Sequence, residues 1–540
     1  MKRWPPLVLI AALLVGGLIV GRDGSGRDTS AIGPVDPATL LPVADPDDAI
    51  DGSWFCAGQS AGDDTPADGT LVLANVGDTD AVGMVHVVAA GEDDDPVVER
   101  VEVPARTTER VRVADLLEAD WAAAQVQVEG GTVVVEHEVV GEHGRDVAPC
   151  SSRASDHWLL PSGASTRDAT LTLAIYNPYP GEARVDLRFH TDDGVREPAD
   201  LQGLRVGPGA LVAVDVAAVV TERAVIATVV EATRGQVVVD RIQTFDGQGA
   251  ATTDEEAEEE TFLREGLTLT PGVPAARRVW AFPASVRAGF LHERVLVFNP
   301  GEEAADVAVE VALDDPLRNG VLDAFPLTVP PGEVAVLDVD DIETVPLGIT
   351  HSITVRSEND VPVVAERTIS AAGEAAEDQP APYLGEATST GSPVAAEGWA
   401  FAAGAEPGAE ASHIVVTNPG DDAVQVELVA FGDGQTSPAL VDQDGEPVTS
   451  FALDPGARRE VIVSADLPEG RTSVEVLADG PVVAERRLLA ERTTAAGDDD
   501  EASADEGEEA ADEEGSTTEP GRGTSTALGI PLRRGLVVLD

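Results

Sequence analysis

The sequence predicts an all-β chain: four tandem immunoglobulin-like or fibronectin-like β-sandwich repeats behind an N-terminal signal anchor. Three observations carry the prediction. Apolar residues alternate with polar or small ones, four landmarks recur in one order, and the chain opens on a basic-then-apolar segment. The alternation is seen at Val185, Leu187 and Phe189, at Val307, Val309, Val311 and Leu313, and at Val424, Val426 and Leu428. A period of two gives a strand one buried face and one wet face, as in antiparallel sheets. A composition with 4% aromatic residues, 53 Gly and 37 Pro is turn-rich rather than helical.

The landmarks define the repeat. The first is a tryptophan in a short apolar strand: Trp54, Trp158, Trp280 and Trp399. The second is an asparagine turn at Asn75, Asn177, Asn299 and Asn418, with proline following in the last three. The third is a corner at Pro104-Ala105, Pro208-Gly209, Pro331-Gly332 and Pro455-Gly456. The fourth is a valine-rich strand ending in an acid–base dipeptide: Glu136-His137, Asp240-Arg241, Glu366-Arg367 and Glu485-Arg486. From Trp to Asn is 21, 19, 19 and 19 residues, and from Trp to the acid is 82, 82, 86 and 86. Four landmarks at such spacing identify an internal repeat. Each unit offers six or seven strand signals; in the third they fall near 279–282, 294–298, 306–313, 325–329, 334–339, 351–356 and 361–370. That pattern suits a sandwich better than a propeller blade of about 40–50 residues.

The expected organisation is an anchor or signal peptide over 1–22, a linker over 23–50, and sandwiches over 51–150 and 151–249. An acidic linker over 250–276, a sandwich over 277–373, a linker over 374–394 and a sandwich over 395–493 follow. An acidic tract over 494–525 and an apolar tail over 526–540 end the chain. The first two units abut at Cys150 and Ser151, which reads as a stiff joint, whereas runs such as Asp254 to Glu260 and Asp498 to Glu514 cannot bury enough apolar surface to fold. The tail has two readings, a strand added to a sheet edge or a frayed terminus.

Met1-Lys2-Arg3 followed by the apolar run Leu7 to Val20 reads as a secretory signal or anchor. With no A-x-A cleavage site after it, an uncleaved anchor with the bulk of the chain outside the cell is expected, secretion being the other outcome. Export makes a disulfide between Cys56 and Cys150 the expected state of the two cysteines. In the chain-entropy model such a crosslink stabilises by about 4–5 kcal/mol. A net charge of −63 argues against nucleic acid and against anionic lipid as partners of the folded part.

Catalytic motifs do not survive inspection. Gly58-Gln59-Ser60-Ala61-Gly62 fits the nucleophile-elbow pattern, but Asp63-Asp64-Thr65-Pro66 follows where the elbow requires a helix. His137-Glu138 and His143 lack the four-residue histidine spacing of a zinc helix, and His137 occupies the basic slot of the repeat. No cofactor is expected. Calcium is the one ion that acidic loops such as Glu92 to Asp95, Asp314-Asp315 or Asp421-Asp422 could hold, but none has a spaced ligand loop, and solvated charge is the default.

The repeat-defining residues read as structural. The tryptophans, flanked by Phe55, Leu160, Phe282 and Phe401, are expected in the core rather than on a glycan platform. Glu136, Asp240, Glu366 and Glu485, and the bases Arg241, Arg367 and Arg486, are expected to pair with neighbouring strands or loops. The asparagines read as turn formers. The order of Trp strand, Asn-Pro-Gly turn, Pro-Gly corner and terminal Pro-Val-Val-Ala-Glu-Arg, clearest at 362–367 and 481–486, resembles repeats of large bacterial surface proteins. The whole chain is similar to an actinobacterial exported, membrane-anchored family of unknown function. The resemblance implies a β-sandwich array at the cell surface and no activity. Unit one departs from it, with His137 for arginine, no Asn-Pro pair and two added cysteines.

The expected function is therefore a non-catalytic cell-envelope scaffold, spacer or protein-interaction array whose partners are envelope proteins. The alternative is a module binding cell-wall glycan or another extracellular polymer, and the third reading is a serine hydrolase at Ser60.

Overall fold

The computed structural model describes residues 36–540 except 47, 64, 92–95, 249–263, 315–321, 372–373, 377–378, 381–382, 406–409, 433–439, 464–471, 491–492, 495–517 and 520. The expected anchor, the acidic runs and the loop Glu92 to Asp95 fall outside these residues. Among the described residues the chain is all-β, with four short 3-10 turns, and no helix is long and apolar enough to cross a membrane.

Each repeat is built on eight strands. In the first they are Asp51–Ala61, Asp68–Asn75, Ala81–Ala89, Val97–Val103, Thr108–Arg112, Ala119–Glu129, Val133–Gly141 and Gly144–Pro149. One sheet has the order fourth-third-sixth-first, the other fifth-second-seventh-eighth, and the same orders recur in the other three repeats. In the fourth repeat a single long strand, Ser473–Ala490, serves as sixth and seventh. The alternating apolar faces meet between the sheets: in the second repeat Leu171, Leu173 and Ile175 of one pack with Val185, Leu187 and Phe189 of the other.

The immunoglobulin strand order is not reproduced. The second strand pairs with the fifth and the third with the sixth, as B does with E and C with F in that fold. The first strand, however, lies beside the sixth, and the seventh beside the second. This exchange sets the seventh strand, with its acid–base pair, next to an eighth strand that is not among the six or seven expected.

Of those eighth strands, Gly144–Pro149 lies at the end of the expected first sandwich, whereas Glu265–Pro271, Tyr383–Thr390 and Thr524–Leu528 lie in the stretches expected as linkers, acidic tract and tail. The acidic segments are therefore inserts between the seventh and eighth strands of one repeat, reduced in the first repeat to the turn Glu142-His143. The tail adds strands: Ile530–Pro531 and Val537–Val538 both pair with Val394–Phe401.

The repeats form a closed ring rather than a string. The four eighth strands pack around a common axis in chain order, and the last returns to the first. Each eighth strand carries a glycine, or in the fourth repeat follows one, five residues before the partner of the repeat's acid: Gly144, Gly266, Gly385 and Gly523. A β-carbon on Gly266 would stand 2.3 Å from the Glu386 nitrogen, and one on Gly385 would stand 2.7 Å from the Thr524 nitrogen. The ring is closed without covalent continuity: Ala44 donates its N–H to the Pro531 carbonyl at 3.0 Å.

Gly266→Ala should lower the denaturation midpoint by the equivalent of about 1–3 kcal/mol, because backbone rather than a yielding side chain opposes the methyl group. Gly181→Ala, which meets nothing within 4 Å, should leave it nearly unchanged. Thermal melts of the two variants check this.

Candidate functional site

Adjacent residues of a strand point to opposite faces. The acid and base of each dipeptide therefore face different neighbours, and the structure uses both. The base of each repeat meets the acid of the next, and the last base meets the first acid. Arg241 pairs with Glu366, Arg367 with Glu485 at 2.6 Å, and Arg486 with Glu136 at 2.8 Å. His137 and Asp240 complete the circle at 3.8 Å. All eight side chains are at most 2% exposed. The sequence expectation of neighbouring partners thus becomes a specific one, since the partners belong to different repeats.

Each joint is completed by backbone placed by the tryptophan strand. Four residues after each Trp, the N–H groups of Gly58, Ser162, Ala284 and Ala403 donate to the acid of the following repeat. The carbonyls of Ser162, Ala284 and Ala403 accept from the guanidinium of their own repeat. One carboxylate thus receives an N–H and a guanidinium held by the same turn of chain. Such charge-assisted bonds are what make a buried ion pair tolerable.

The tryptophans that position this turn are buried. Their indole N–H groups donate to the carbonyls of Val133, Val237, Val363 and Val482 at 3.1, 2.8, 2.8 and 2.8 Å, at the approach to each acid–base pair. The asparagines are equally uniform. Asn75, Asn177, Asn299 and Asn418 donate to the carbonyl four residues on and to the end of the fourth strand, and accept from the N–H two residues on.

The first joint departs from the others. His137 is fully buried, and desolvation lowers its pKa to about 3. Desolvation raises Asp240 to about 7, against the opposing N–H bonds of Ala57 and Gly58. Next to this pair lies the disulfide Cys56–Cys150, as expected from the sequence. Closer to the axis, Asp146 accepts the Leu269 N–H at 2.7 Å across the same joint. Burial raises it to about 7, countered by Ser525, by the Leu269 and Val147 N–H groups and by the Arg145 charge.

Ser60 is fully buried within the first strand, its N–H bonded to the Ala67 carbonyl at 2.7 Å. No helix follows it, and its surroundings are those of a packed strand rather than an exposed elbow. His137 and His143 lie on a strand and a turn. Of the acidic loops, Asp314 bonds Arg458 at 3.0 Å, and the carbonyl of Asp422 accepts from Asn418.

A family of unknown function (DUF5719) matches residues 134–456, more than half of the chain. No curated protein matches. Among solved structures, the chain is similar to the Thermotoga maritima 1070 protein at 21% identity, over 22% of this chain and 93% of that one, with a TM-score of 0.18. It is similar to the Anabaena sensory rhodopsin transducer at 23% identity, over 17% and 80%, with a TM-score of 0.15. It is also similar to the Streptomyces avermitilis alpha-L-rhamnosidase at 12% identity, over 60% and 44%, with a TM-score of 0.14.

Arg367→Leu strands Glu485 in the interior and should cost about 3–5 kcal/mol. The double variant Arg367→Leu with Glu485→Gln should cost markedly less than the sum of the two single changes. A double-mutant cycle in denaturant measures the coupling.

Asp146 gives a pH dependence of defined sign. With its folded pKa raised from 3.8 to about 7, the folded state holds the proton longer than the unfolded chain. Its stabilising share is present below the unfolded value and is lost as pH rises towards 7. Asp146→Asn stays neutral and keeps an acceptor for Leu269. It should therefore gain on the parent by about 1.4 kcal/mol per pH unit across that window. Stability curves of both chains between pH 4 and 7 read the difference.

Proposed function

We propose that this chain, which belongs to the DUF5719 family of unknown function, is a non-catalytic scaffold of the cell envelope, held by its N-terminal segment with the ring outside the cell. Its partners would be other envelope proteins. One observation carries the reading: the residues that define the repeat are used up in holding the ring together. Every landmark tryptophan and asparagine, and every acid and base of the dipeptides, is buried, and all of them except His137 bond a partner inside the chain. A repeated binding or catalytic surface would keep repeated side chains free instead.

The polymer-binding alternative loses its platform, because buried indoles cannot stack on a sugar. The hydrolase reading loses its nucleophile, because no substrate reaches Ser60. A ring of interlocked repeats suits a rigid part on which other proteins assemble. The basic-apolar start and the disulfide suit placement outside the cytoplasm.

Co-sedimentation of the full-length chain with isolated cell-wall material across a salt series tests the reading. The scaffold predicts no saturable binding at high salt, whereas saturable, salt-resistant binding would overturn it in favour of the polymer reading. Fractionation with protease shaving of intact cells tests placement: the chain should sediment with membranes and be cut from outside.

A further inference from the structure

The joint between the first and second repeats lacks the guanidinium of the other three, and a different set of groups converges there. Ligand atoms of Cys56, His137 and Cys150 lie within 4.8 Å of one another, and all three residues are fully buried. Neither ring nitrogen of His137 has a hydrogen-bond partner. Asp240 of the second repeat stands beside this cluster rather than within it: its Oδ2 is 3.8 Å from His137 Nε2 and accepts the N–H groups of Ala57 and Gly58, and its buried Oδ1 has no hydrogen-bond partner. A buried imidazole with both nitrogens unused is expensive, and its place in the repeat calls for a cation.

Two sulfurs, an imidazole nitrogen and a carboxylate oxygen are the ligand types of a tetrahedral zinc site. Imidazole and carboxylate bound at about 2.0–2.1 Å stand about 3.3 Å apart on a tetrahedron, close to the spacing present here. Two thiolates each about 2.3 Å from the metal stand about 3.8 Å apart, so the sulfurs must unbond and separate before both can bind.

We propose that Cys56, His137 and Cys150 form a latent zinc site that reduction of the disulfide opens, with Asp240, the carboxylate beside them, turning in as fourth ligand. A phosphine reductant supplies two electrons, the S–S bond breaks, and each sulfur takes a proton, while the phosphine becomes its oxide with the oxygen of one water. Zinc then displaces both thiol protons and is held by two thiolates. The metal bridges repeat one to repeat two, as a guanidinium does at the other joints. The oxidised chain keeps the disulfide and binds no metal there.

The test uses the full-length chain, reduced with a water-soluble phosphine under anaerobic conditions, its two thiols counted, and titrated with Co2+. One equivalent should bind with tetrahedral ligand-field absorption and thiolate-to-cobalt charge transfer, and Zn2+ should displace it. The oxidised chain should show neither band. His137→Arg, which restores the cation of the other joints, should keep the thermal midpoint and weaken Co2+ binding at least about tenfold. His137→Asn provides a second variant of smaller volume with the same expected loss. A reduced, folded chain with two free thiols and no tetrahedral spectrum would overturn the proposal. So would undiminished binding by both histidine variants, or a chain that unfolds on reduction, since the site needs the joint intact.

Discussion

Everything in this molecule depends on a charge alternation along one strand. An acid and a base side by side on the seventh strand point to opposite faces, so each repeat offers one sign to the repeat before it and the other to the repeat after it. Such an interface is head-to-tail, and head-to-tail interfaces give filaments unless the rotation per step closes. Here four steps close, and Arg486 of the last repeat reaches Glu136 of the first at 2.8 Å. Removing either partner of this pair with the ring closed would leave a buried charge uncompensated, which costs far more than a surface pair gives. The repeats are therefore not beads whose stabilities simply add, as in an open solenoid.

Closure imposes a second constraint at the axis. Where the eighth strands of the second, third and fourth repeats meet, backbone leaves no room for a β-carbon at Gly266 and Gly385, and glycine is the one residue without one. The acid–base clamp and the glycine lie on one hairpin, the seventh strand carrying the first and the eighth strand the second. One fixes the angular step from the outside and the other the approach from the inside. The tryptophan links them to the sandwich, because its indole bonds the carbonyl at the start of the seventh strand and its own strand supplies the N–H that meets the next repeat's acid.

The four repeats, their alternating strands, the buried tryptophans, the asparagine turns and the disulfide were legible in the sequence, because each is a local pattern or a short chain relation. The partners of Glu366 and Arg367 were not legible. They lie 125 and 118 residues away in other repeats, and a repeat read by itself carries no sign of the symmetry that joins it to its neighbours. The eighth strands were hidden by acidic inserts of unequal length, which made segments of the same repeat look like linkers and an orphan tail. A signal was present all the same: Gly266, Gly385 and Gly523 each open an alternating run after an insert, as Gly144 does after a two-residue turn.

Chain continuity sets the last joint apart from the other three. The last joint, between repeats four and one, has no peptide link to hold it. It keeps the full arginine–glutamate clamp and adds the Ala44–Pro531 bond. Repeats one and two abut directly: Cys150 ends the first, and Ser151 already pairs with Phe55. There a short connection holds the neighbours together, and Phe55 and Ala57 pack with Ile242 and Leu269 across the joint. Connections as short join repeats two and three, Pro271 to Val279, and repeats three and four, Thr390 to Val394, and both of those joints keep the guanidinium. What the first joint has instead is the disulfide: both sulfurs lie within repeat one and fix the edge that repeat two docks on, while the docking itself is left to packing and to the N–H groups that hold Asp240.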